Sequence, residues 1–220
     1  MTWDSQEAFW AGAEGNAYHE RSPGNVEANI ALFARALRAA VKPIGSVLEL
    51  GAGMGANMIA LRRLLPTAAL EALEINGAAQ KRLQQLAKRQ IVTRVIPHSL
   101  FEMHLNDERD LVLTKGFLIH MRPEILPAVY KQLARASRRY VLMAEYYAPT
   151  MTGIPYRGKD GLLWKGDYCT GFQLAHPEFE LLDYGFVYHR DPKWPQDDLT
   201  WWLLEKRQPA PPAGKTRRRK

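Results

Sequence analysis

Val47–Ala56, reading Val-Leu-Glu-Leu-Gly-Ala-Gly-Met-Gly-Ala, constrains the fold of this chain more tightly than any other stretch. Ser46–Leu50 is a short apolar run of strand type, three alternating glycines follow, and Asn57–Leu65 reads as a helix. A strand that breaks into glycines and reopens as a helix is how α/β proteins hold nucleotide-like ligands. Glycine lets the backbone turn tightly and lets a ligand approach where a Cβ would collide.

The spacing narrows the ligand. Gly51, Gly53 and Gly55 alternate as G-x-G-x-G, whereas the dinucleotide fingerprint is G-x-G-x-x-G. Acidic Glu49 stands two residues upstream, and an acid beside the loop suits a ligand with cationic groups rather than a pyrophosphate. S-adenosyl-L-methionine has a sulfonium and an α-ammonium and no phosphate. A second acid, Glu74, ends the next strand, Leu70–Glu74, 21 residues beyond Gly53, close to where a carboxylate grips ribose hydroxyls in such folds. A dinucleotide site and a purely structural turn are the alternatives. Asn57, Ile75, Thr114 and Lys115 adjoin these positions and join the candidate cofactor set.

The elements alternate around this centre. Val26, Ile30, Phe33 and Leu37 give Asn25–Ala40 a helical stripe that Asn25 can cap. Ala78–Gln90 is the next helix after Glu74, and Val92–Ile96 is a third strand. The Pro97–Leu100 loop follows, where Ser99 and Leu100 are placed to meet an adenine. Asp110–Leu113 is a fourth strand, Arg122–Ser137 a helix and Tyr140–Glu145 a fifth strand. Phe179–Tyr188 and Thr200–Lys206 complete the set. Strand–helix alternation closed by two consecutive strands predicts a doubly wound, seven-stranded Rossmann-like α/β sheet of the methyltransferase kind, with the last strand antiparallel. Residues 1–207 read as one domain. Within it, Met1–Gly24 is an irregular aromatic arm covering the ligand pocket. Tyr146–Pro177, rich in Tyr, Gly and basic residues, is a substrate cap with a short helix over Gly166–His176.

Charge adds one feature. The net charge is +7, but Lys215 and Arg217–Lys220 supply five positive charges, leaving +2 for residues 1–214. Residues 208–220, with Pro209, Pro211 and Pro212, read as a disordered basic tail. The single cysteine, Cys169, excludes an internal disulfide and fits a reducing compartment. No apolar run approaches a membrane span, and the N-terminus has no signal-peptide character, so a cytoplasmic location is expected.

Seven segments stand in order: Glu49-Leu-Gly-Ala-Gly-Met-Gly, Leu73-Glu-Ile-Asn, Thr114-Lys-Gly-Phe-Leu-Ile-His, Ala144-Glu-Tyr-Tyr, Pro155-Tyr-Arg-Gly, Asp183-Tyr-Gly-Phe-Val-Tyr-His-Arg-Asp and Pro195-Gln-Asp-Asp. Over roughly residues 5–206 they resemble the pseudaminic acid biosynthesis-associated methylases, class I S-adenosylmethionine-dependent methyltransferases found with bacterial nonulosonic acid and surface-glycan gene sets. The resemblance implies methyl transfer to a small sugar-derived acceptor.

Methyl transfer from a sulfonium mainly requires alignment, with a general base useful for a hydroxyl acceptor. His120, after the fourth strand, and His189, ending the sixth, are candidate bases. Each also has a plain structural reading, at a helix start and at a strand end. Glu145 and Tyr146 end the fifth strand and are candidates to orient an acceptor. Tyr18, Tyr147 and Tyr156 are candidate walls for it. Lys115, Arg157, Lys165 and Arg190 are the cations near the expected mouth. They suit an anionic acceptor such as a sugar acid or nucleotide sugar, with Arg157 best matched to a carboxylate or phosphate. No His/Cys/Asp set has metal-ligand spacing. Two rivals stand beside this reading: a methyltransferase of RNA or protein held by the basic tail, and a non-catalytic scaffold.

Overall fold

The computed structural model describes residues 3–21, 24–103 and 107–207; the basic tail expected at 208–220 lies outside the described residues. The chain opens with two helices, α1 (Trp3–Ala11) and α2 (Ala13–Arg21), joined at Gly12. The irregular arm expected here is therefore corrected to a helical pair. Its side chains are spent on contacts with the cavity described below, so no regular apolar stripe marks it in the sequence.

Helix α3 (Val26–Ala36) is capped by Asn25, whose side chain accepts the Ala28 N–H at 3.1 Å. Its buried face is Ala28, Asn29, Leu32, Phe33 and Ala36, so of the expected stripe only Phe33 is fully buried. Val26, Ile30 and Leu37 pack at its flank. There follow β1 (Ser46–Leu50), α4 (Ala56–Leu64), β2 (Ala69–Leu73), α5 (Gly77–Lys88), β3 (Arg94–Ile96) and β4 (Arg109–Lys115). Single turns over Leu118–His120 and Pro123–Ile125 lead into α6 (Leu126–Ala136) and β5 (Ser137–Glu145). A small hairpin of β6 (Thr152–Gly153) and β7 (Trp164–Lys165), helix α7 (Tyr168–Ala175), β8 (Phe179–Val187) and β9 (Leu199–Lys206) complete the described chain.

Seven strands form one sheet in the order β3-β2-β1-β4-β5-β9-β8. β1 to β5 pair in parallel, and the last strand, β9, runs antiparallel to both neighbours, as expected. Val47, Leu48 and Leu50 of β1 are wholly buried, each contributing roughly 1.5–3 kcal/mol, which lets the strand carry Glu49 in its middle. One apolar layer, with Phe33, Met58, Leu61, Leu83 and Trp201, lies under α3, α4 and α5. The other, with Leu126, Val129, Leu133, Tyr168, Phe172 and Phe179, lies under α6 and α7. The chain leaves β1 toward β2 on one side and β4 joins on the other, so the carboxyl ends of β1 and β4 open a crevice, the place where such sheets take ligands.

The 146–177 segment divides in two. Helix α7 belongs to the core: Tyr168, Cys169 and Phe172 are buried, with the Phe172 ring edge-on to Tyr130 at 5.7 Å. Burial pushes the Cys169 thiol up to about 12, which leaves it inert. The hairpin half turns back toward the crevice, where the Tyr156 ring stands 5.9 Å from that of Trp10 and 6.0 Å from that of His120.

Candidate functional site

The glycine loop is held by β2. Gly51 and Ala52 donate their N–H groups to Leu73 O at 2.9 and 3.0 Å, Gly53 donates to Glu74 Oε2 at 2.8 Å, and Gly55 to Ala52 O at 3.0 Å. All three glycines have positive φ, where an L side chain is strained. A Cβ on Gly51 would lie 2.3 Å from the Phe117 ring, and one on Gly55 would lie 2.5 Å from Leu86 Cδ1. The alternation noted in the sequence therefore serves packing on Phe117 and Leu86 as well as the loop's turn.

A cavity sits above this loop, lined by Gly51, Gly53, Asn57, Leu73, Glu74 and Ile75 below and by Leu100, Lys115, Phe117 and His120 beside it. Glu7, Trp10, Tyr18 and His19 from the N-terminal helices line it as well. Glu74 uses its second oxygen to accept the Asn76 N–H at 2.7 Å, so both oxygens are engaged while the side chain still faces the cavity. Burial raises its pKa against those bonds.

Glu49 does not line the cavity. It is fully buried behind the loop, accepts a bond from Asn57 Nδ2, and burial pushes its carboxyl up to about 8. Its other oxygen, Oε2, is buried without a hydrogen-bond partner among the described residues, as are Asn57 Oδ1 and Asn29 Oδ1. Asn29 and Asn57 both line the cavity. Two amide oxygens without donors thus belong to the cavity lining, together with the Trp10 Nε1–H, which also has no partner among the described residues. Sequence reasoning missed Asn29; its signal was an amide set among the apolar positions of α3.

The turn after β4 carries the opposite wall. Gly116, at φ 61°, starts it, and the Glu145 carboxylate accepts the N–H groups of Phe117 and Ile119 from behind. Glu145 lies outside the cavity; its expected role in orienting an acceptor is corrected to holding this turn. Burial pushes its carboxyl up to about 7. His120 lies 3.1 Å from Leu162 O through Nδ1, and a bond to a carbonyl requires that Nδ1 carry the proton. Burial lowers the His120 pKa to about 4, so the ring is neutral and Nε2 keeps its lone pair. Trp10 covers the ring at 4.2 Å, Tyr18 and Tyr156 flank it at 6.4 and 6.0 Å, and Gln6 Nε2 bonds the His120 carbonyl.

Other expected residues stand further out. Ser99 is buried, and its hydroxyl donates to Glu7. Thr114 is buried within β4. Tyr146 bonds Asp197 Oδ2 at 2.8 Å, and Lys165 lies 5.5 Å over its ring. Exposed His189 is held by Asp198 at 2.9 Å, away from the cavity, so it is not brought to the site as a base. Tyr147 is exposed beside Trp202. Arg157, at φ 52°, and Arg190 are exposed as well. The cation cluster expected at the mouth is thus dispersed, and among the described residues Lys115 is the one lysine or arginine that lines the cavity. No group of side chains suited to a metal is present among the described residues, and no helix there is long and apolar enough to cross a membrane.

The sequence matches no protein-family model and no curated relative. In structure it is similar to 1,6-didemethyltoxoflavin-N1-methyltransferase of Burkholderia thailandensis, with TM-score 0.73 and 16% identity over 94% of this chain and 92% of that one. Magnesium protoporphyrin IX methyltransferase of Synechocystis PCC 6803 gives TM-score 0.66 and 16% identity over 91% and 94%. An S-adenosylmethionine-dependent methyltransferase of Clostridium acetobutylicum gives 0.62 and 10% over 88% and 98%. Similarity at this level of identity establishes architecture: the chain has the seven-stranded Rossmann-like methyltransferase fold.

Proposed function

We propose that the protein is an S-adenosylmethionine-dependent methyltransferase acting on oxygen or nitrogen of a small, anionic, sugar-derived acceptor. The observation that carries the cofactor is the polarity of the glycine loop. The amides of Gly51, Ala52, Gly53 and Gly55 are all donated within the protein, so they form no cradle for a pyrophosphate. Of the side chains that line the cavity, Asn29 and Asn57 hold amide oxygens without a partner among the described residues, which fit a ligand that brings N–H donors, and the Trp10 indole N–H of the same lining is likewise unpartnered. The Burkholderia enzyme was crystallised with S-adenosylhomocysteine and 1,6-didemethyltoxoflavin, and the Synechocystis enzyme with S-adenosylmethionine, which supports the same reading here.

When bound, S-adenosylmethionine supplies an activated methyl group. The chain's part is then to hold, orient and exclude water. Glu74 and Ile75 would border the ribose, and Glu7 and Leu100 the adenine, with Ser99 outside the lining holding Glu7. Trp10, Tyr18 and Phe117 would wall the acceptor, with Tyr156 behind His120 and Trp10. Orientation of this kind is worth roughly 7–11 kcal/mol, more than the ~10²–10⁴-fold of a general base. Neutral His120, with Nδ1 held by Leu162, offers Nε2 to an acceptor O–H or N–H. The sugar-derived acceptor rests on the sequence resemblance, and its negative charge on Lys115 in the cavity.

Two measurements test this. Titration with S-adenosylhomocysteine and with NAD should show binding of the first alone, and the reverse preference would sink the cofactor reading. Incubation with methyl-labelled S-adenosylmethionine and an extract of the source cells should place label in small molecules. Label in nuclease- or protease-sensitive material instead, lost on deleting residues 208–220, would favour a methyltransferase of RNA or protein anchored by the tail.

A further inference from the structure

Lys115 ends β4 beside Ala144 of β5 and one residue before Gly116. Its side chain lines the cavity, yet it makes no hydrogen bond or ion pair with any described residue. The carboxylates that act on it from a distance are Glu49, Asp197 and Glu145. Each is already engaged: Glu49 by Asn57, Asp197 by the Tyr146 hydroxyl, and Glu145 by the Phe117 and Ile119 amides. The two carboxylates that line the cavity are engaged as well, Glu7 by Ser99 and Glu74 by Gly53 and Asn76. An ammonium removed from water without a counter-ion is costly, and burial accordingly lowers the pKa of Lys115. A cation left unpaired at the wall of a cavity is completed by an anion that enters it.

We propose that Lys115 is the anion anchor of the cavity and that its partner is a carboxylate. A single ammonium matches a monoanion. A phosphate group is more often met by guanidinium forks or loop amides, and here no arginine among the described residues lines the cavity and the amides of Gly51, Ala52, Gly53 and Gly55 are spent. Two molecules carry such a group: S-adenosylmethionine, through its α-carboxylate, and a sugar-acid acceptor. Both sources rest on the methyltransferase reading above, the first on its cofactor and the second on its acceptor as well.

The test compares the wild type with Lys115→Met, which keeps the length of the side chain without its charge, and with Lys115→Arg, which restores charge. Lys115→Gln replaces the methionine variant if that one does not fold. The binding probes are S-adenosylhomocysteine and its decarboxylated analogue. If the cofactor supplies the carboxylate, the wild type prefers S-adenosylhomocysteine at least tenfold. Lys115→Met then loses that preference without losing the analogue, and Lys115→Arg recovers part of it. If the acceptor supplies it, Lys115→Met binds S-adenosylhomocysteine as the wild type does. It then places at least tenfold less methyl label in the anion-exchange-retained fraction of the extract, with any neutral product unaffected. A methionine variant equal to the wild type in both measurements overturns the proposal. A wild type that binds S-adenosylhomocysteine and the analogue equally well overturns the cofactor source alone. A wild type that binds neither defeats the cofactor reading itself, a result distinguishable from failure of the anchor.

Discussion

The Glu145 carboxylate accepts the backbone N–H of Phe117 at 3.1 Å, from the far side of the turn that brings His120 to the cavity. A buried acid thus fixes a wall without touching a ligand. Its pKa is raised from 4.5 to about 7 by burial, so the folded state binds a proton more tightly than the unfolded chain. The stability it contributes is complete below about pH 4.5 and is lost as pH rises through about 7. Melting curves of the wild type and Glu145→Gln between pH 4.5 and 8 should therefore diverge, the wild type losing more of its melting temperature. Parallel curves would remove Glu145 as the titrating group.

Gly51→Ala places a methyl 2.3 Å from the Phe117 ring at φ 70°. The expected cost is about 1–3 kcal/mol of stability, read by denaturant melts, together with weakened binding of S-adenosylhomocysteine. Unchanged binding would separate the loop from the ligand site.

His120→Ala should lower methyl transfer about 10²-fold, at the lower end of what a positioned acid or base supplies. S-adenosylhomocysteine affinity should hold within about threefold, since the proposed role is toward the acceptor. Because burial depresses the imidazole to about 4, the wild-type rate should show no His-like limb near pH 6.5. A clear limb there would mean that the ring titrates normally and is more open to water than its contacts with Trp10 and Leu162 allow.

Arg109 and Glu71 form a buried pair at 2.9 Å, joining the start of β4 to the middle of β2. Arg109→Met leaves the buried acid with only the partly exposed Arg94 guanidinium, 4.0 Å away, and should cost up to about 3–5 kcal/mol, whereas Arg109→Met with Glu71→Leu should recover most of it. Equal losses in the single and double variants would show that packing rather than charge is at stake.

The sequence by itself determined the sheet and the centre of the site. Apolar runs, the glycine alternation and helical spacing are local properties, and β1, α4, β2, α5, β4, β5, β8 and β9 follow from them with ends shifted by a few residues. The positions of Gly51, Gly53, Asn57, Glu74, Ile75, Leu100 and Lys115 around one cavity also follow, because parallel strands carry their end residues to one edge. Tertiary structure decided the rest. Whether an acid within a strand or at its end faces a ligand or the protein depends on what packs around it: Glu145 meets the Phe117 amide, and Glu49 meets the Asn57 side chain. Trp3–Arg21 is helical because it docks, through Gln6 on His120 and through Asn76 Nδ2 on the Trp10 carbonyl, contacts spanning 114 and 66 residues that no local pattern records. Arg157 and Arg190 looked like partners of Lys115 in a list of charges, yet chain direction leaves both in solvent and Lys115 alone at the cavity wall.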